Sequence, residues 1–182
     1  MKNLRQPSTP TTPDPAGGPV PLATAGRPVV EIPMLDAADQ EAILELFRRP
    51  HGKGTLSIPD AQATVSNPLC GEAVTVTLSL DHGQAEPRVT DIRFQSDGCS
   101  ISQASASMMT DLVRGRSEAE IRSLAGSLHA LLHGDRSEAG ALGRLRILGG
   151  VARLPSRVAC ALLPWDALLR ALECRALPPA AA

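Results

Sequence analysis

Residues 98–109 read GCSISQASASMM, and at Gly98 the chain changes its period. Before this point the apolar residues alternate: Val74, Val76, Leu78 and Leu80 interleave with Thr75, Thr77 and Ser79, and after a polar turn Ile92 and Phe94 point one way. Period two predicts an antiparallel sheet with one wet face, to which Ala61–Val65 adds a short strand, about three in all. After Gly98 the period is helical, with Ile101, Ala104, Ser105, Met108 and Leu112 on one face and Gly115 as the stop. The small residues of this helix let another backbone approach closely. Strands first and helices afterwards predict an α+β fold, a small three-stranded antiparallel sheet packed against about five helices.

The remaining helices follow from local signals. Asp36 caps a helix whose stripe is Ile43, Leu44, Leu46 and Phe47 and which stops before Pro50. Residues 50–54 are a loop. Ser117 and Glu120 form a capping-box pattern ahead of Ile121, Leu124, Leu128, Leu131 and Leu132, and Gly134 ends that helix. Leu142, Leu145 and Leu148 predict a short helix before Gly149-Gly150. Pro155 opens a turn around residues 157–162, and Pro164 starts a last helix with Trp165, Leu168, Leu169 and Leu172 inward. No internal repeat is present.

Of the 16 prolines, half fall within the first 34 residues, among Thr, Ala and Gly and without apolar periodicity. This composition predicts a disordered proline-rich arm over 1–34, a folded domain over 35–175 and a disordered tail over 176–182. A chain of 182 residues suits one such domain. A net charge of −1, with only Phe47, Phe94 and Trp165 as aromatics, offers neither the basic footprint nor the stacking platforms of a nucleic-acid binder. No apolar run reaches membrane-spanning length. Four widely spaced cysteines and no charged start leading into an apolar run predict a reducing cytoplasm rather than a disulfide scaffold.

The cysteines then define the candidate chemistry. Cys70 lies in "SNPLCGE" (66–72) on the turn entering the sheet, two residues before Glu72; Cys99 lies at a helix N-terminus; Cys160 lies at the start of the C-terminal helical segment. Three thiols and one carboxylate at element ends suit a tetrahedral zinc site. The helix start favours the Cys99 thiolate.

From about Asp36 to Glu173 the chain resembles the SufU-type members of the IscU-like (NifU N-terminal-like) iron–sulfur cluster assembly family. The resemblance rests on "NPLCGE" at 67–72, "GCSISQASASMM" at 98–109 and "LPSRVACALLPW" at 154–165. Two traits favour the SufU branch: the long stretch between Gly115 and Val151, and Arg157-Val158-Ala159 before the last cysteine in place of a histidine. The L-P-P-V-K text of IscU is replaced by Leu154-Pro155-Ser156-Arg157-Val158.

The resemblance implies that Cys70, Glu72, Cys99 and Cys160 hold Zn2+. It also implies a sulfurtransferase-like role, with Cys70 as the catalytic acceptor of persulfide sulfur from a SufS-type cysteine desulfurase and delivery to the downstream Suf cluster-assembly machinery. In that relay a desulfurase histidine takes a place on the zinc and frees the Cys70 thiolate. Nucleic acid and membrane are not expected partners. The family usually has Asp where this chain has Glu72, and the extra methylene moves the carboxylate by roughly an ångström at a site whose distances hold to about 0.2 Å. Either a small backbone shift keeps Glu72 on the metal, or water or another group replaces it.

The alternative function on the same ligands is a scaffold or carrier that assembles a [2Fe–2S] cluster, since thiolates suit both. A purely structural zinc domain is disfavoured by the carboxylate. Arg157, three residues before Cys160, is expected to act on the thiolates from outside the ligand set. Cys174 is a spare thiol, and His129 and His133 are the polar edge of a helix. Met108 and Met109 are core filling. His51, Lys53 and His82 sit in ordinary connections.

Overall fold

The structure, a computed structural model, describes residues 35–68, 71–83, 85–137 and 139–175. The predicted arm (1–34), the predicted tail (176–182) and Cys70 lie outside the described residues. The elements are α1 (Ala37–Arg48), β1 (Ala61–Asn67), β2 (Glu72–Asp81), β3 (Arg88–Ser96), α2 (Ser100–Val113), α3 (Glu118–Leu132), a segment of 3-10 turns (Ala139–Arg153) and α4 (Pro155–Glu173). Three strands and five helical segments among the described residues match the predicted α+β class.

The sheet is antiparallel in the order β1-β2-β3. Its register sets Val65 opposite Val74, Val76 opposite Phe94 and Leu78 opposite Ile92, so the alternating residues share one face. Val74, Val76, Leu78, Ile92 and Phe94 are fully buried there, and α4 packs across β1 and β2. The opposite face is wet except at Thr77, which is buried because its Oγ1 accepts the Leu56 N–H (3.1 Å) from the α1–β1 connection.

Three helical expectations change. The predicted one-sided α2 is buried on every side from Ile101 to Thr110, because α1, α4, β3 and the 3-10 segment surround it. Its small residues make this possible, and two of its buried serines find partners: Ser105 Oγ donates to the Ala161 carbonyl (2.7 Å), and Ser107 Oγ accepts the His51 N–H (2.6 Å), while Ser102 Oγ has none among the described residues. The residues after α3 form 3-10 turns kinked at Gly143 (φ 51°), and they run past Gly149-Gly150 to Arg153. Leu142, Leu145, Leu148 and Val151, all buried, recur every third residue, which is the 3-10 period. Finally, Pro164 does not start a helix. It sits inside α4, which begins with Pro155 at its first turn; a proline has no N–H to give the Cys160 carbonyl four residues back, and the buried surface around Trp165 and Leu168 holds the helix together across the missing bond.

The predicted capping box is present: Ser117 Oγ accepts the Glu120 N–H, and Glu120 accepts the Ser117 N–H (2.9 Å) while Arg88 and Arg116 approach it. The Ser117 N–H, then Arg116, hold the Glu120 carboxyl at about 2, below its ordinary 4.5. A depressed carboxyl stabilises the fold above its unfolded value and loses that contribution as pH falls through its folded value. Thermal melts between pH 4.5 and 2 are therefore expected to fall more steeply for the wild type than for Glu120→Gln, which keeps a capping side chain without the charge. Parallel curves would show that the charge contributes nothing.

Candidate metal centre

The centre forms where the open ends of β2 and β3 meet the starts of α2 and the first turns of α4. Asn67 pairs with Glu72 across the β1–β2 connection, and Gly71, at φ 67°, donates its N–H to the Asn67 carbonyl (2.9 Å). This left-handed glycine lets the connection close and start β2 at Glu72. The pairing of Val74 with Ser96 then brings the end of β3 alongside, and the chain turns through Gly98 into Cys99, the N-cap of α2.

Glu72 is buried (8% exposed). Its Oε1 accepts a hydrogen bond from Ser96 Oγ (3.4 Å), and that hydroxyl accepts the Gly98 N–H (2.9 Å). A Cβ at Gly98 would overlap the Glu72 carboxylate. The space left by the missing side chain of Gly98 is thus occupied by the carboxyl group of Glu72, which accommodates the longer acid.

Cys99 is half-buried at the helix start and its thiol is held near 6, below the ordinary 9.0. The largest cause is the hydrogen bond from Cys160; the backbone N–H groups of Ser102 and Ile101 add to it, while burial and the negative Glu72 oppose it. Cys160 is buried on α4, more than a turn inside the helix and not at its end as expected. Its thiol also faces the Ser156 carbonyl (3.4 Å), so one S–H serves two acceptors.

The carboxylate of Glu72 and the thiols of Cys99 and Cys160 lie within 4.8 Å of one another. Thiolate and carboxylate are zinc ligands at about 2.3 and 2.1 Å, and a tetrahedral arrangement of them spans this spacing after a small contraction. Residues from three elements therefore converge on a donor set that fits one zinc ion with a fourth ligand to be added.

Other expectations resolve individually. Arg157 is half-buried at the start of α4; among the described residues its guanidinium makes no hydrogen bond or ion pair. Cys174 is exposed at the end of α4. His129 and His133 are exposed and stack on each other (ring centroids 4.1 Å apart), the polar edge predicted for them. His51 pairs with Asp111 (2.8 Å) on the surface. Sequence reasoning missed Ser96, Gly98 and Gln103, whose partners lie on other elements; the one available signal was a lone amide among the small residues of 98–109. No helix among the described residues is long and apolar enough to cross a membrane.

Residues 38–161 match the family model for the NifU-like N terminal domain. The iron-sulfur cluster assembly scaffold protein IscU of Streptococcus pyogenes is 39% identical over 127 residues, 69% of this chain and 77% of that one. The zinc-dependent sulfurtransferase SufU of Bacillus subtilis is 33% identical over 135 residues, 74% of this chain and 88% of that one. Among solved structures, a putative iron-sulfur cluster assembly scaffold protein for the SUF system from Fervidobacterium islandicum superposes with a TM-score of 0.67 at 27% identity, covering 72% of this chain and 94% of that one. Matched over most of its folded length in sequence and in architecture, this chain belongs to the NifU-like N-terminal domain family.

Proposed function

We propose that the protein is a zinc-dependent sulfur acceptor in iron–sulfur cluster assembly, that Cys70, Glu72, Cys99 and Cys160 hold the zinc, and that Cys70 takes persulfide sulfur from a SufS-type cysteine desulfurase. The observation that carries this reading is the convergence of Glu72, Cys99 and Cys160 within 4.8 Å. The SufU relative supports zinc over a cluster, and the SufU-like sequence around Cys160 supports the same branch. The acting unit is residues 35–175, and its setting is a reducing cytoplasm with the Suf cluster-assembly machinery downstream.

When bound, zinc keeps its thiol ligands deprotonated until a partner is in place. The protein's own residues do the rest. Cys99 and Cys160 sit on α2 and α4, so they hold position, whereas Cys70 belongs to a connection closed by Gly71. In the transfer step the Cys70 thiolate attacks the outer sulfur of the desulfurase persulfide. A new S–S bond forms on Cys70, the old S–S bond breaks, and the desulfurase thiolate leaves with the electron pair, so there is no net oxidation or reduction. Arg157, three residues before Cys160 in the sequence, is proposed to steady thiolate charge from outside the ligand set.

The second reading, assembly of a [2Fe–2S] cluster on the same cysteines, is favoured by the scaffold name of the streptococcal relative. The two differ in where sulfur first appears. After turnover with a SufS-type desulfurase and cysteine, alkylation and mass spectrometry are expected to find the extra sulfur on Cys70. Label on Cys160 with Cys70 unmodified overturns the assignment.

A further inference from the structure

Gln103 sits one turn after Cys99 on α2 and is 6% exposed. A buried amide has one accepting and one donating end, and each needs a partner. Here both are used. Its Nε2 donates to the Gly98 carbonyl (3.0 Å), and its Oε1 accepts from Lys53 Nζ (3.1 Å). An ammonium only donates and a carbonyl only accepts, so these partners leave the amide a single orientation. The Gly98 carbonyl belongs to the peptide unit that carries the Cys99 N–H. On its other side Gly98 donates to Ser96 Oγ, which bonds Glu72. One run of hydrogen bonds thus passes from the exposed Lys53 through Gln103, Gly98 and Ser96 to Glu72.

We propose that Gln103, oriented by Lys53, is a positioning residue of the metal centre: it fixes the Gly98–Cys99 peptide, and with it the direction in which the Cys99 thiol faces Glu72 and Cys160. The inference rests on the reading that these residues hold zinc. Lys53 itself touches none of the ligands; it acts by preventing the amide from turning its oxygen toward the Gly98 carbonyl. The Lys53 loop is held independently by the bonds of Gly52 and Gly54 to Phe94, so removing the ammonium leaves the loop in place.

The test uses the full chain, loaded with zinc for chelator competition and with cobalt(II) for its visible spectrum. Outer partners of metal ligands commonly set affinity by roughly 10- to 100-fold. Gln103→Leu is expected to fall in that range and to change the cobalt bands. Gln103→Glu retains the Lys53 contact but has no donor for Gly98, so it should resemble Gln103→Leu. Lys53→Met is expected to weaken zinc by roughly fivefold to tenfold, Lys53→Arg to restore most of the loss, and the metal-free melting temperature of Lys53→Met to equal that of the wild type. Wild-type affinity and an unchanged cobalt spectrum in Lys53→Met overturn the inference and leave the zinc reading standing. A wild-type protein that binds neither zinc nor cobalt through thiolates overturns both.

Discussion

Cys160→Ala and Cys99→Ala are each expected to strip the protein of bound zinc and to lower its melting temperature steeply. Both thiols converge on Glu72 from different helices, so an ion held between them ties α2 and α4 to the end of the sheet. Binding of that kind is also folding free energy. Losing about 3 kcal/mol at this chain length corresponds to roughly 6–12 °C. The metal-free wild type separates the metal contribution from simple loss of packing at the buried Cys160. If zinc is the link, the substitutions matter much less once a chelator has removed it. Cys70→Ala should behave differently, abolishing stimulation of the desulfurase while part of the zinc remains. Equal melting shifts with and without zinc would mean that these thiols serve the core and not a metal.

Gly98→Ala is expected to be nearly as damaging, although it adds one methyl group. The new Cβ would occupy the position of the Glu72 carboxyl group, and a buried overlap of this kind costs about 1–3 kcal/mol. Relief requires Glu72 to leave or the Gly98 peptide to shift, and either movement disturbs the donor set. Zinc affinity should fall by at least about tenfold, as for other supports of metal ligands. The cause can be isolated by a double-mutant cycle, because residues in contact are not additive. In a Glu72→Ala background the added methyl meets no carboxylate and should cost little. An undiminished penalty there would place the strain elsewhere.

These two expectations draw on different depths of legibility. The cysteines and Glu72 stand out by chemical type, although Cys160 proves to lie inside α4 and not at its end, and the alternation of Val74 to Leu80 shows which face of the sheet is buried. Gly98 carries no such signal. Its role depends on β2 and β3 being side by side, so that Ser96 pairs with Val74 and the turn into α2 crosses Glu72. The same limit explains α2. A helical period counts apolar residues, but Ser102, Ser105 and Ser107 are buried as fully as Ile101, because small side chains fit where helices approach closely; the Ser105 and Ser107 hydroxyls are hydrogen-bonded there, whereas Ser102 is accommodated by size alone. Pro164 reads locally as a helix start, and only the packing of α4 against the sheet shows that a helix can run through it. The leucines at 142, 145 and 148 carry the three-residue period openly, but three positions fit one face of an ordinary helix as well, and only the continuation through Gly149-Gly150 to Val151 distinguishes the two.

The proposed zinc ion on Glu72, Cys99 and Cys160, completed by Cys70, is tested most directly by the metal and acid-labile sulfide content of freshly purified full-length protein. About one zinc per chain, no visible chromophore and no sulfide are expected, as one tetrahedral site requires. Iron and sulfide in equal amounts, with a visible charge-transfer spectrum, would contradict it and assign the same cysteines to a [2Fe–2S] cluster.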